Sequence, residues 1–252
     1  MKVAVIGNKG GTGKTSIAVH IAWKLAQKFP VLLVDTDYGQ GSAFRWVTGV
    51  RNVPQMNTVY RVPHSPGLKV IVLKREAIPS LPDIIAKREE DFFVIDGRPE
   101  PWVSGMIAEA LDAEDIGIIV VDSASVESIR QANDLWQTIK RTGSDKAEYY
   151  VVVNKFPPTG VVNSRWISQI NSKGLKYLLA IPRSELFQIS EQSHVPVWEI
   201  AMGNRMAVSV RFAQIADLIE SRYHELRGDT IREVARYDVQ HRAGEGVLKR
   251  SS

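Results

Sequence analysis

Short continuous apolar runs alternate along the chain with stretches of helical periodicity. Lys2–Gly7, Val31–Asp35, Leu68–Leu73, Phe92–Asp96, Ile116–Val121, Tyr149–Asn154 and Tyr177–Pro182 read as strands. Most are apolar at every position rather than at every second one, as strands buried on both faces of a parallel sheet are. Between them the spacing predicts helices near 13–29, 79–90, 104–112, 125–142, 163–173 and 184–192. A longer helix is predicted over 204–227, where Val208, Phe212, Ile215, Ile219, Tyr223 and Leu226 recur at three- and four-residue intervals to form one stripe. Strand–helix–strand repetition predicts an α/β fold: a doubly wound, mostly parallel sheet with helices on both faces. We expect one domain over residues 1–228, followed over 229–252 by a short helix and a mobile tail.

Composition narrows the chemistry. With no cysteine among 252 residues, disulfides, thiolate zinc sites, thiol nucleophiles and cysteine-held iron–sulfur clusters are excluded. The five histidines show no metal-binding spacing. No stretch approaches the roughly 18 apolar residues of a membrane span, and the N-terminal apolar run is too short for a signal peptide. The expected location is the cytoplasm. The net charge of +4 permits nucleic-acid binding without arguing for it.

The segment Gly7–Ser16, GNKGGTGKTS, follows the first predicted strand and opens the first helix. Its glycines let the backbone wrap closely with N–H groups turned inward, and the helix N-terminus adds its positive end. Gly10, Gly11, Thr12, Gly13 and Ser16 would form the cradle. Lys14 would reach the β- and γ-phosphates, and Thr15 would offer its hydroxyl to Mg²⁺. Asp35 and Asp96, at the ends of their strands, would face this cradle and hold the metal ion. A helix cap or a salt bridge is the competing reading of Asp35. The implied ligands are a nucleoside triphosphate and Mg²⁺.

The run Lys9-Gly10-Gly11-Thr12-Gly13-Lys14-Thr15 resembles the deviant Walker A motif of the ParA/MinD family of P-loop ATPases, and is most similar to the short ParA-type partition members. The likeness continues in VLLVDTDYGQ (31–40), FFVIDGRPEP (92–101), VVVNKFPP (151–158) and IPRSELFQISEQSHVPVWE (181–199). It implies that Lys9 reaches across a nucleotide-sandwich dimer to the partner's phosphates, as an arginine finger does. It implies that Asp37 orients the attacking water. It also implies that Asn154 contacts adenine, with Lys155 beside it and Pro182 packed on the base. Asn154-Lys155 is similar to a guanine-binding motif as well, but Pro157 stands where that motif needs a carboxylate, which favours adenine. Two departures stand out. Tyr38-Gly39 replaces the usual proline, and Gly97-Arg98-Pro99 replaces Thr-Pro-Pro. Trp46 and Trp102, which follow these loops, are candidates for a dimer face.

The resemblance implies an ATP-dependent homodimer that binds non-specific DNA, with the nucleoid as its ATP-bound location. A ParB-like centromere-binding protein would stimulate hydrolysis and release it, so that a plasmid or chromosome is partitioned. Arg183, Arg205, Arg211 and Arg222 are the candidate phosphate contacts. With the first strand predicted from residue 2, no sequence-reading module is expected ahead of the core. Two alternatives are a MinD-like ATPase acting on a membrane or cell pole and an ATP-dependent biosynthetic enzyme on the same fold. The tail has too few large apolar residues for a membrane helix, and the absence of cysteine excludes the family's cluster-binding branches.

Overall fold

The computed structural model describes residues 1–52, 54–123, 126–157, 164–172, 174–201 and 205–228. The expected helix and tail over 229–252 lie outside these residues. Eight strands form one sheet: β1 (Lys2–Ile6), β2 (Val31–Asp35), β3 (Val59–Arg61), β4 (Leu68–Val72), β5 (Phe92–Asp96), β6 (Ile116–Asp122), β7 (Glu148–Phe156) and β8 (Lys176–Pro182), in the order β3-β4-β2-β5-β1-β6-β7-β8. Every pairing is parallel except β3 with β4. The seven predicted strands are all present. The helices are α1 (Lys14–Leu25), α2 (Ser42–Thr48), α3 (Leu81–Ala86), α4 (Pro101–Glu109), α5 (Val126–Arg141), α6 (Ser164–Ser172), α7 (Leu186–Ser193) and α8 (Arg205–Arg227), with 3₁₀ turns at Arg75–Ser80 and Val197–Glu199.

The central strands are buried at every position, which explains their uninterrupted apolar runs. Successive residues still serve two layers. Ala4, Ile6, Leu32, Val34, Phe93 and Ile95 join one cluster with Val103 and Ile107 of α4 and Leu135 and Ile139 of α5. Their neighbours in sequence, Val3, Val5, Leu33 and Val94, are equally buried and point to the opposite layer, where α1 runs.

Two elements were not predicted. β3 is a three-residue edge strand, shorter than the run that a period-2 pattern needs. α2 is a seven-residue helix with a left-handed glycine at each end and no side-chain cap of its own.

The aromatic residues of this layer close around one histidine. The ring of His20 is fully buried, stacks on Phe212 at 4.9 Å and meets Trp23, Trp46, Phe187 and Trp198 edge-on. Nδ1 lies 2.7 Å from the Ser16 carbonyl, and Nε2 accepts the Val197 N–H at 3.3 Å. Burial holds its pKa down to about 3, so the ring is neutral. Trp46 belongs to this core: it is buried, and its indole N–H donates to Ser190 Oγ at 3.1 Å. The part of Trp46 that stays accessible borders the cleft in front of the phosphate loop. Trp102 is 37% exposed, with Arg75 over its ring at 4.8 Å.

By compactness the chain divides into Met1–Ala216 and Asp217–Ser252. The first contains the sheet and α1–α7, and within it Val208, Phe212 and Ile215 of the predicted stripe are buried. The described part of the second is the C-terminal part of α8, where Arg222 lies 3.8 Å from Glu225 and the Arg227 guanidinium covers the Tyr223 ring. Leu226, the last stripe residue, is exposed.

Gly117 marks the tightest strand contact. It pairs with Tyr149 across β6 and β7, and a Cβ there would run into the Tyr149 ring, which is held by Trp136 and by a hydrogen bond to the Ser144 carbonyl. Gly117→Val should lower the unfolding free energy by about 1–3 kcal/mol. In denaturant melts, Tyr149→Ala should then cost less in that background than in the wild-type chain.

Candidate functional site

The order of the sheet decides where the site lies. β1 is the centre of the winding: the chain leaves it for β2 and β5 on one side and for β6 and β7 on the other. A crevice opens at the carboxyl ends of the strands at such a reversal. The register brings Asp35 opposite Asp96 across β2 and β5, and Asp96 opposite Val5 at the end of β1. The glycine-rich loop leaves β1 at that point and enters α1 at Lys14. Gly11 and Gly13 take positive φ values of 71° and 93°, which lets the loop close on itself without a side-chain clash.

A cleft of about 370 Å³ lies in front of the loop. Of the predicted residues, Gly11, Gly13, Lys14, Thr15, Ser16, Asp37, Asp96 and Lys155 line it. Lys14 is nearly buried, and its ammonium donates to the Lys9 carbonyl at 2.9 Å. Burial lowers its pKa to about 8, while the Asp96 carboxylate works in the opposite direction. An incoming phosphate would offer this ammonium stronger acceptors than a carbonyl. Gly10 is exposed beside the cleft near Pro99, and Thr12 is buried with its hydroxyl toward the Lys9 carbonyl. Lys9 is partly buried and lies within electrostatic reach of Glu127.

The two strand-end carboxylates differ. Asp35 is fully buried, and its oxygens accept the backbone N–H groups of Asp37 at 2.8 Å and Phe44 at 2.9 Å. It thereby does the capping work that α2 lacks in its own sequence. Asp96 accepts the Thr15 hydroxyl, while its Oδ1 is buried with no hydrogen-bond partner among the described residues. A buried oxygen of this kind beside a hydroxyl fits a hard divalent cation. Asp96 and Thr15 are thus the residues that could hold Mg²⁺, with Asp35 behind them anchoring the loop.

Asn154 and Lys155 reach the phosphate loop from the end of β7. Asn154 is buried, and its amide donates to the Thr12 carbonyl at 2.8 Å. A Cβ on Gly13 would collide with that amide. Lys155 adopts φ 56°, an uncommon value outside glycine, and places its ammonium on the Gly11 carbonyl and on Asp122. Both side chains brace the phosphate loop from β7. Pro182 does not line the cleft. It borders a separate, largely apolar groove with Phe156, Pro157 and Tyr177.

Among the arginines, Arg183 is exposed at the end of β8, and Arg211 borders that groove with a hydrogen bond to Gln214. Arg222 lies in the second compact unit, and the side chain of Arg205 falls outside the described residues. Sequence reasoning missed Ser42, whose hydroxyl donates to Asp37 at 3.1 Å, and Glu191 at the cleft rim. It also left Arg98 unassigned, although the guanidinium lies in the cleft wall.

Burial raises the pKa values of both Asp35 and Asp96. For Asp96 the neighbouring Asp35 charge adds to the rise, against Thr15 and Lys14. A carboxylate raised in this way binds more protons folded than unfolded, so its contribution to stability is present below the ordinary aspartate range and is lost as pH rises above it. In melts without nucleotide or divalent cation, stability should fall between about pH 5 and about pH 8. Asp96→Asn should flatten that decline, and an unchanged slope would contradict the assignment.

Comparison with known proteins agrees with this geometry. Residues 3–197 match the family described as the CobQ/CobB/MinD/ParA nucleotide binding domain. The septum site-determining protein MinD of Pyrococcus horikoshii OT3, solved with Mg-ADP, superposes with a TM-score of 0.69 at 17% identity, over 86% of this chain and 95% of that one. Apo McdA of Cyanothece gives 0.70 at 16%, over 88% and 98%. A plasmid partition protein of Borrelia burgdorferi gives 0.56 at 16%, over 77% and 95%. A stretch of 44 residues is 59% identical to maintenance of carboxysome distribution protein A of Gloeobacter kilaueensis, but this spans only 20% of that relative and 18% of this chain. With a family match over most of its length and a phosphate loop at the centre of a doubly wound sheet, the chain belongs to the CobQ/CobB/MinD/ParA nucleotide-binding family.

Proposed function

We propose that the chain is a Mg²⁺-dependent ATPase of the ParA type, working as a nucleotide-sandwich dimer that binds DNA without sequence preference while ATP is held. The observation that carries this reading is the convergence of Lys14, Thr15 and the unpartnered Asp96 oxygen in one cleft at the mouth of the glycine-rich loop. A triphosphate there meets a cation, the N-terminus of α1 and a metal-binding pair, which is most of what phosphoryl transfer needs from a protein. Thr15 and Asp96 would hold Mg²⁺, whose charge would offset that of the phosphates. Lys14 would hold the phosphates, and Asp37 would orient water. Lys9, at the tip of the loop, would supply the second cation to the partner's nucleotide. Hydrolysis stimulated by a ParB-like, cargo-bound partner would end the cycle.

A second reading keeps the cycle and changes the cargo. The short, highly identical stretch shared with a carboxysome distribution protein supports a protein body in place of a plasmid or chromosome. A MinD-like membrane role is the remaining alternative. No described helix is long and apolar enough to cross a bilayer, and liposome flotation with ATP tests peripheral binding.

Lys14→Ala should cut ATP hydrolysis at least about 100-fold, and wild-type turnover in that variant would sink the active-site assignment. Lys9→Ala should keep nucleotide affinity within about twofold while abolishing ATP-dependent dimers in sedimentation. DNA affinity should require ATP and fall with a log–log salt slope of about −0.9 per phosphate neutralised. Binding that ignores salt or nucleotide would remove DNA from the cycle.

A further inference from the structure

The two departures from the family's loop patterns meet in space. The Arg98 guanidinium lies over the Tyr38 ring at 4.5 Å. Its Nη1 donates to Asp37 Oδ1 at 3.1 Å, and its Nε lies 2.7 Å from Glu100. The Tyr38 hydroxyl reaches Glu100 at 3.5 Å. Gly39 leaves room here: a Cβ at that position would lie 3.2 Å from Nη1, a tight contact. The backbone of Arg98 is pinned by its N–H to Thr36 Oγ1 at 3.0 Å, and that hydroxyl donates to the Asp96 carbonyl at 2.7 Å. Tyr38-Gly39 and Arg98 are therefore one feature: an aromatic platform and a gap on one loop receive the arginine of the other.

The place of this cluster matters more than its existence. Arg98 and Asp37 both line the cleft that holds Lys14 and Thr15. Nη1 and Nε are engaged, and Nη2 has no hydrogen-bond partner among the described residues. Asp37 has Arg98 on Oδ1 and the Ser42 hydroxyl on Oδ2. A carboxylate held at both oxygens is poorly placed to accept a proton from water. A guanidinium forms paired bonds with phosphate as readily as with carboxylate, and a terminal phosphate is the stronger anion.

We propose that Arg98 is a specificity-determining residue that reads the terminal phosphate: it exchanges Asp37 for the γ-phosphate of a nucleoside triphosphate, and that exchange frees Asp37 to orient water. A diphosphate lacks the group that draws the guanidinium away, so it leaves the Arg98–Asp37 pair closed. The inference rests on the triphosphate-hydrolysing reading above.

The test is equilibrium binding of fluorescent ATP and ADP analogues, with Mg²⁺, to the full chain and to Arg98→Ala, Arg98→Lys and Asp37→Asn. Arg98→Ala should reduce the preference for ATP over ADP about tenfold, with ADP affinity changed less than about twofold. Arg98→Lys, which keeps the charge and loses the fork, should restore part of that preference. Asp37→Asn should raise ATP affinity severalfold by releasing the guanidinium, and should lose this effect when Arg98 is also alanine. If Arg98→Ala does not fold, the lysine and asparagine variants carry the test. Equal weakening of ATP and ADP by loss of Arg98, or a gain from Asp37→Asn that persists without Arg98, overturns the proposal. A wild-type chain that binds no ATP overturns the underlying reading as well, whereas normal ATP binding with an unchanged ATP/ADP ratio in Arg98→Ala overturns this proposal alone.

Discussion

Two carboxylates side by side in the interior constrain the rest of this structure. Asp35 and Asp96 end adjacent parallel strands in direct register and are almost wholly shielded from water. Like charges so placed repel each other, and burial penalises each separately. The surrounding elements answer this in two ways. Asp35 takes backbone amides from its own loop and from the start of α2. Asp96 takes the Thr15 hydroxyl and the nearby Lys14 charge while keeping one oxygen uncommitted. The short helix α2, the path of the Asp37 loop and the chemistry of the cleft thus share one electrostatic origin.

The phosphate loop is held from behind and from the side before any ligand interaction is considered. Asn154 and Lys155 fasten the Thr12 and Gly11 carbonyls to β7, on the other half of the sheet. Below the loop, His20 ties the Ser16 carbonyl to the Val197 amide within an aromatic cage. A neutral histidine suits this position because one ring nitrogen donates while the other accepts. Bracing of this kind removes conformational freedom from the loop in advance, so that binding energy is not consumed in ordering it.

Much of the fold was legible in the sequence. A strand buried on both faces must be apolar at every position, and that constraint writes a run that needs no tertiary information to recognise. The phosphate loop was legible for a similar reason: close backbone approach to an anion demands glycines at set intervals, with a lysine after them. The elements that escaped notice owe their existence to distant partners. α2 forms because a carboxylate seven residues ahead of its first residue caps it. Among the described residues, β3 pairs with β4 at the edge of the sheet.

Side-chain roles divide along the same line. Lys14 and Thr15 were assignable because motif and function occupy the same few residues. Trp46 follows the Asp37 loop in sequence, but only the tertiary structure shows that its indole joins the core around Ser190. The hold of Asn154 on a carbonyl 142 residues away was not legible in its own segment. Tyr38-Gly39 and Arg98 looked like two unrelated departures until the β2–β5 pairing set their loops together. By itself the sequence determined seven of the eight strands, where the phosphate loop lies and which residue types it contains, because local backbone geometry and burial act on consecutive residues. Only the tertiary structure decided which carboxylate keeps an uncommitted oxygen and which arginine faces the cleft, because those outcomes depend on the register between strands that lie far apart in the chain.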